Sequence, residues 1–500
     1  MNDVDNELFP APSPQGSTKN ALGPQPWPGN TSSSTEALRE ILCDNHKRWH
    51  IFFNDLKFHN HAAHAVLSLW SLGADENMLR KSYKESCEEQ RPSFPSPQPI
   101  TRDNWTEHLG DGDYYQGYLN FFKEELRQYK FDYGRLLEEY VFSSRANYSS
   151  KASTKDGSQP LMLNRFLAGV IHAFIHTGLG LEFGLPGIFI EGSSSILSLS
   201  LCAVSTADAP QLFPSDMFED EDSVSSGLVN RLTAAVGLTD PPSPNGKAKY
   251  NGMHAFEVIG RVLSDSALAP FKPKDSSNTY QDAIESHGEG IRRCVDQWDI
   301  GDGTDLEKKL EELIWSAVLL YGVGGSQKDK EFNADFFFMH FVTSSIFLPT
   351  VFSTLRNKSS QIELLKGYLA TILSWYIAQG RPSLDLRRFF SDPTTVVPSP
   401  PEPVPSYHGV KQPNPWLTII QATVSHPDDH MPKLLRALAN HAVHLGSTPR
   451  GAFALVKDLE GVEEIDGTLF LRAAVLTMNK VGWVVGELPL GGVWDRDGFF

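Results

Sequence analysis

The stretch from Asn164 to Glu182, read Asn-Arg-Phe-Leu-Ala-Gly-Val-Ile-His-Ala-Phe-Ile-His-Thr-Gly-Leu-Gly-Leu-Glu, constrains this chain more than any other. Apolar residues fill almost every helical turn, so the stretch predicts a helix, with Gly178 and Gly180 offering places to stop. His172 and His176 fall in its most apolar part. A spacing of four puts both imidazoles on one face, one turn apart, close enough to hold one metal ion. The plain alternative is a pair of core histidines bonded to neighbours. Each buried imidazole must satisfy two nitrogens, and a single apolar face supplies few partners.

Other helical segments carry further histidines. His59-Asn-His61-Ala-Ala-His64 leads into an apolar run ending at Gly73, with Asn60 as a plausible N-cap and His61 and His64 on one face. His340 is the only ionisable group between Asp335 and Arg356, within Asp-Phe-Phe-Phe-Met-His-Phe. Lys366, in the apolar run 362–377, is the only charge between Glu363 and Arg381. It reads either as a stem-packed lysine reaching water or as a buried amine, which burial would keep neutral and able to add carbon dioxide, giving an anionic oxygen ligand. His426, Asp428, Asp429 and His430 have the composition of a metal cluster. They precede Pro432 and read as a helix entry, where acids favour the N-terminus.

Composition excludes several classes. A formal net charge of −17 argues against nucleic acid or an anionic membrane as the main partner. Cys43, Cys87, Cys202 and Cys294 form no CxxC pair, and the acidic N-terminus lacks a signal-peptide pattern, so a reducing, cytoplasmic setting is expected. The run nearest to a membrane span, 184–204, is broken by Pro186, Glu191 and serines. Gly322-Val-Gly-Gly and Gly178-Leu-Gly lack the dinucleotide-binding spacing, and HExxH is missing.

The reading is an all-α protein: a disordered, Pro- and Ser-rich tail over 1–32, then a single compact catalytic domain over 33–500 with a Pro-rich connector near 393–414. Order is expected from a capping box at Ser33–Glu36. The stripe Trp105, Leu109, Tyr114, Tyr118, Phe121 and Phe122 predicts helix and core within 100–143, and a short helix is expected at 226–237.

Taken together, several motifs resemble the questin oxidase-like family. They are His59-Asn-His-x-x-His leading to Leu72-Gly-Ala74, Trp105 with Leu109-Gly110, and Gly169-x-x-His172-x-x-x-His176-x-Gly-x-Gly-x-Glu182-Phe183. Asp335-Phe-Phe-x-Met-His340, His426-Pro-Asp-Asp-His430, Gly482-Trp483 and Trp494-Asp-Arg-x-Gly-Phe extend the resemblance from about residue 45 to the end of the chain. The resemblance implies a helical enzyme that opens a ring of an anthraquinone or its reduced form in fungal polyketide metabolism. It implies either a non-haem Fe(II) dioxygenase using O2, or an NADPH- or flavin-dependent Baeyer–Villiger-type monooxygenase. The missing dinucleotide fingerprint disfavours NADPH. A helical anthraquinone carrier is a third class. The iron ligands implied are His172, His176, His340, a member of the 59–64 run (His61 and His64 foremost) and Lys366 as its carbamate, with Glu182 in reserve. Phe174, Phe337 and Phe341 are candidates to line a slot for a flat substrate, with core packing as their plainer role.

Overall fold

Several helices begin where the sequence supplies a side-chain acceptor. In the computed structural model Thr31 opens the Ser32–Arg48 helix: its Oγ1 accepts from the Ser34 amide at 3.1 Å, and Ser34 Oγ accepts from the Thr31 amide at 2.9 Å. The capping box therefore lies two residues ahead of the expected one. Asp75 and Asp305 cap the Glu76–Cys87 and Leu306–Gly324 helices through their carboxylates; such a bond is worth about 1 kcal/mol.

The structure describes residues 3–13, 20–55, 58–148, 157–191, 212–213, 217, 253–270, 279–300, 304–400, 406–407, 410–411, 413–485, 488–490 and 492–500. The expected 226–237 helix, the serine-rich stretch after Glu191, part of the Pro-rich connector and Cys202 lie outside them. Among the described residues the chain is all-α, apart from two short antiparallel ribbons, Ser406–Tyr407 with Val410–Lys411 and Trp483–Val485 with Leu488–Leu490, and isolated bridges. None of the described cysteines, Cys43, Cys87 and Cys294, is in a disulfide. No helix among the described residues is long and apolar enough to cross a membrane.

Leu306–Gly324 and Lys358–Ala378 are apolar nearly all round, and a helix of that kind must be buried on most sides. Lys358–Ala378 packs on Thr279–Val295 and on Leu306–Gly324, which in turn packs on Met339–Ser345 and Thr468–Val481. His430–Leu445 packs on Met339–Ser345, Ala62–Ser71 and Thr468–Val481, so three histidine-bearing helices meet. The stripe residues Trp105, Tyr118, Phe121 and Phe122 are buried as expected, although regular helix begins only at Tyr115 and ends at Gln128.

Two expectations are corrected. The described part of the N-terminal tail is packed: Asp3–Leu8 is helical, Phe9 is buried against Gly187, and the Trp27 amide donates to Ser71 O at 2.9 Å. Aromatic and apolar side chains in a Pro-rich segment gave it surface to bury. The stretch 164–182 is not one helix. Met162–Leu167 ends at Ala168, three residues follow with positive φ (Gly169 58°, Val170 53°, Ile171 61°), and His172–Phe183 begins afresh. Two β-branched residues in the left-handed region carry a strain of about 1–3 kcal/mol each.

The end of the chain fastens this arrangement. The Asp495 carboxylate accepts from the Ala334 amide at 2.8 Å, Phe336 N donates to Asp495 O at 2.7 Å, and Trp494 Nε1 donates to Asp428 Oδ2 at 2.8 Å.

Candidate metal centre

Each of four histidines enters the centre with its Nδ1 already engaged. The strained turn aims the Gly169 carbonyl at His172 Nδ1, 2.8 Å away. Phe336 O, one turn earlier in the segment tied to Asp495, lies 2.8 Å from His340 Nδ1. His61 Nδ1 is 3.0 Å from Asp429 Oδ2. His430 Nδ1 is 3.1 Å from Asp428 Oδ1 and 3.0 Å from Asp429 Oδ1. A carbonyl or carboxylate only accepts, so all four Nδ1 atoms carry the proton. In the neutral ring each Nε2 is then a bare lone pair.

Those lone pairs face inward. The Nε2 atoms of His61 and His172 are 2.9 Å apart, and the Nε2 atoms of His340 and His430 are buried without a partner. The rings follow one another around a circuit, with centroid separations of 5.0 Å (His61–His172), 4.8 Å (His172–His340), 5.5 Å (His340–His430) and 4.8 Å (His430–His61). One nitrogen from each of His61, His340 and His430 lies within 4.8 Å of the others. A metal–nitrogen bond of about 2.1 Å sets adjacent donors about 3 Å apart, so the His61–His172 separation suits two ligands on one ion. The donor set therefore fits a cation, and each ligand carries the outer hydrogen bond that orients metal-binding histidines.

Electrostatics favours the neutral ring at three of the four histidines. Burial pushes His61 down to about 4 and takes His172 and His340 well below the usual histidine range. His430 differs: burial opposes its charge, but the Asp429 and Asp428 carboxylates outweigh it and hold it up. Asp429 in turn is kept well below the usual range, its burial overcome by His430, Lys433 and His61. Lys433 is buried and donates from Nζ to Asp429 Oδ2 at 2.8 Å.

A second group adjoins the first. His64 Nε2 lies 2.8 Å from His176 Nδ1, and His176 Nε2 lies 3.0 Å from Glu191 Oε2. Glu191 Oε1 accepts from His46 Nδ1 at 2.6 Å. Burial opposes ionisation of Glu191, but the bonds from His176 and His46 hold it down to about 2. His59 stacks on His64 and on His172 and leaves both ring nitrogens buried without partners.

The expected site residues divide accordingly. His172 and His176 do not share one ion-binding pair; His172 faces His61 while His176 faces His64. His340 joins the circuit. Lys366 does not: its side chain is 29% exposed and its Nζ is 4.0 Å from Asp296, on the face packed against Thr279–Val295. Glu182 is paired with Arg436. Phe174 and Phe341 are core residues, packed on Tyr368, whereas Phe337 is partly exposed and stacks on Trp375 at 5.4 Å. His430 and Asp429 have the composition of a metal cluster but read more readily as a helix entry, and Lys433 carries no signal of its own. The segment is a helix entry, since Asp428 Oδ1 accepts from the His430 amide at 2.8 Å, and the same turn delivers the ligands. Glu191 and His46 had no local signal.

A helical protein whose separate helices converge imidazoles on one buried point belongs, by architecture, with proteins that build metal or cofactor sites from facing helices. Comparison with known proteins is specific: residues 58–438 match the family described as questin oxidase-like, and the chain belongs to that family. It is 26% identical to a questin oxidase of Aspergillus fumigatus, over 90% of this chain and 89% of that protein. It is 28% identical to a Baeyer–Villiger oxidase of Emericella nidulans, over 93% of each chain. A Baeyer–Villiger monooxygenase of Cryptosporiopsis is 26% identical over 85% of this chain and 84% of that protein.

Proposed function

We propose that the protein is an oxidoreductase, a non-haem Fe(II), O2-dependent dioxygenase. It opens a ring of an anthraquinone, or of its reduced form, by C–C bond cleavage in fungal polyketide metabolism. One observation carries the reading: His61, His340 and His430 each place a ring nitrogen within 4.8 Å of the others, His61 Nε2 meets His172 Nε2 at 2.9 Å, and every Nδ1 proton of the four is committed elsewhere. The names of the relatives, a questin oxidase and Baeyer–Villiger oxidases, support redox chemistry and the substrate class. A redox-active ion serves such chemistry, and zinc does not.

In this reading His61, His172, His340 and His430 hold the metal, and iron when bound supplies the redox partner and the place for dioxygen. Lys433, rather than Lys366, is the lysine positioned to complete the set. As an ammonium it would repel a cation; as a carbamate it would present an anionic oxygen. Asp429 orients three of these groups at once through His61, His430 and Lys433. The stacked pair Phe337 and Trp375 gives a flat ligand an aromatic wall beside the His340 segment.

A second reading rests on the same relatives' names: a Baeyer–Villiger monooxygenase that consumes NADPH. Metal analysis and turnover under labelled oxygen separate the two. The dioxygenase reading expects one iron per chain, both labelled atoms in product and no NADPH. An absolute NADPH requirement with one labelled atom lost to water would overturn it. Anthraquinone binding with no stoichiometric metal and no turnover would leave only a carrier.

A further inference from the structure

The four-imidazole circuit leaves three buried histidines without a task. His59, His64 and His176 are each 1–3% exposed, and no metal-ligand role is needed from them. Their protons can be placed by elimination. Glu191 is an ionised carboxylate and only accepts, so His176 Nε2 carries its ring proton and His176 Nδ1 is a lone pair. His64 Nε2, 2.8 Å away, must then be the donor. A neutral His64 therefore keeps a bare lone pair on Nδ1, and that atom is buried with no partner. A buried acceptor without a donor is costly unless a ligand satisfies it.

The His64 ring adjoins the four-imidazole circuit, with its centroid 5.8 Å from that of His61 and 6.4 Å from that of His172. One nitrogen from each of His59, His61 and His64 lies within 4.8 Å of the others. On its other edge His64 is reached by His176, and Glu191 and His46 follow in series.

We propose that the hydrogen-bonded pair Glu191–His176 fixes His64 as a hydrogen-bond acceptor, and that His64 Nδ1 is the subsite for a hydroxyl group on the aromatic substrate. The inference rests on the proposed reading that an anthraquinone-class ligand enters this space. It adds a specificity rule. A ring bearing a free hydroxyl satisfies His64, and the corresponding methyl ether, which has no proton to give, leaves the lone pair orphaned and places a methyl group against it. A site built around a buried polar group rejects an analogue that cannot pair with it far more strongly than an apolar pocket does. Glu191 and His176 are positioning residues here, because they act only through His64.

Two measurements test the proposal on the full chain. The first is 15N NMR of selectively histidine-labelled protein, which reads the tautomer directly. The expected result is an Nε2–H tautomer at His64 in the wild type, converted in part to Nδ1–H in Glu191→Gln, because a carboxamide can donate to His176 as well as accept. An Nδ1–H tautomer in the wild type would overturn the inference whatever the reaction proves to be. The second is equilibrium binding, without turnover, of 1,8-dihydroxyanthraquinone and its 1,8-dimethoxy ether to the metal-loaded protein under argon. The dihydroxy compound should bind at least tenfold more tightly to the wild type and to His46→Gln, which keeps the carboxylate, and within about threefold of the ether in Glu191→Gln. Equal affinity in the wild type, or an unchanged ratio in Glu191→Gln, would refute the subsite. A second metal equivalent in the wild type that disappears in His64→Phe would equally refute it, by giving the lone pair to an ion. Failure of the dioxygenase reading appears elsewhere, in the iron content and the oxygen labelling.

Discussion

The Nε2 atoms of His61 and His172 stand 2.9 Å apart with no proton between them, since Asp429 and the Gly169 carbonyl hold both Nδ1 protons. Two lone pairs at that distance repel in the absence of a cation. The contact is stable only as part of a metal site, or at the cost of shifting a proton off an Nδ1.

Alanine at His61, His172, His340 or His430 should each abolish tight binding of one iron, with helical circular dichroism unchanged. Asp429→Asn should keep the ligands yet weaken metal binding by about 10–100-fold, the usual effect of losing an outer hydrogen-bond partner. His176→Ala should retain the metal. Metal content after dialysis against graded chelator ranks these variants. A His176→Ala protein without iron, alongside a His430→Ala protein with it, would mean that the ion sits among the other histidines.

The two lysines should behave oppositely. Lys366→Arg is expected to leave iron content and turnover at wild-type levels, because its head already reaches solvent and Asp296. Lys433→Arg should lose iron, since an arginine stays charged and cannot take up carbon dioxide. Iron content of both variants, each loaded with and without bicarbonate, decides between them.

Glu363 predicts a pH dependence away from the centre. Its carboxyl is buried with Oε2 unpartnered, and burial pushes it up to about 8. The unfolded chain deprotonates first, near 4.5, so the fold loses stability as pH rises from there to about 8. Glu363→Gln removes that loss. The variant should match the wild type at pH 4 and exceed it by on the order of 2–4 kcal/mol at pH 8 in urea denaturation. A difference that does not grow with pH would show that the carboxylate has a partner in solution.

Val170→Gly should relieve one left-handed β-branched residue. Because Val170 is only partly buried, the fold is expected to gain about 1 kcal/mol. The looser turn should aim the Gly169 carbonyl less well, so metal affinity should fall while stability rises. Denaturant midpoints and a metal titration on one preparation test both halves. If stability and affinity fall together, packing of the valine dominates.

The sequence made the helices legible because their apolar patterns and caps are local. The Asn60 carboxamide that accepts from the Ala62 amide one residue ahead of the cap, the stop at Gly73 and the buried stripe from Trp105 to Phe122 could all be read in place. It also flagged His172 and His340. What it could not show is pairing across the fold. The i, i+4 pair His172 and His176 does share one continuous helix, but His172 meets His61 and His176 meets His64, and those partners come from another part of the chain. Lys366 and Lys433 sit in comparably apolar helices. Only the packing partner differs, Thr279–Val295 for one and the histidine cluster for the other. The acidic turn at Asp428–Asp429 was readable as a helix start and hid a second role in the same atoms.

Trp494 and Asp495, neighbours in sequence, hold the His430 turn and the His340 segment respectively. One indole and one carboxylate thereby couple two histidine-bearing segments that lie far apart along the chain. A disturbance at either residue is felt by both segments through a single short stretch of backbone. Loosening that stretch should cost the centre its geometry while leaving the surrounding helices folded.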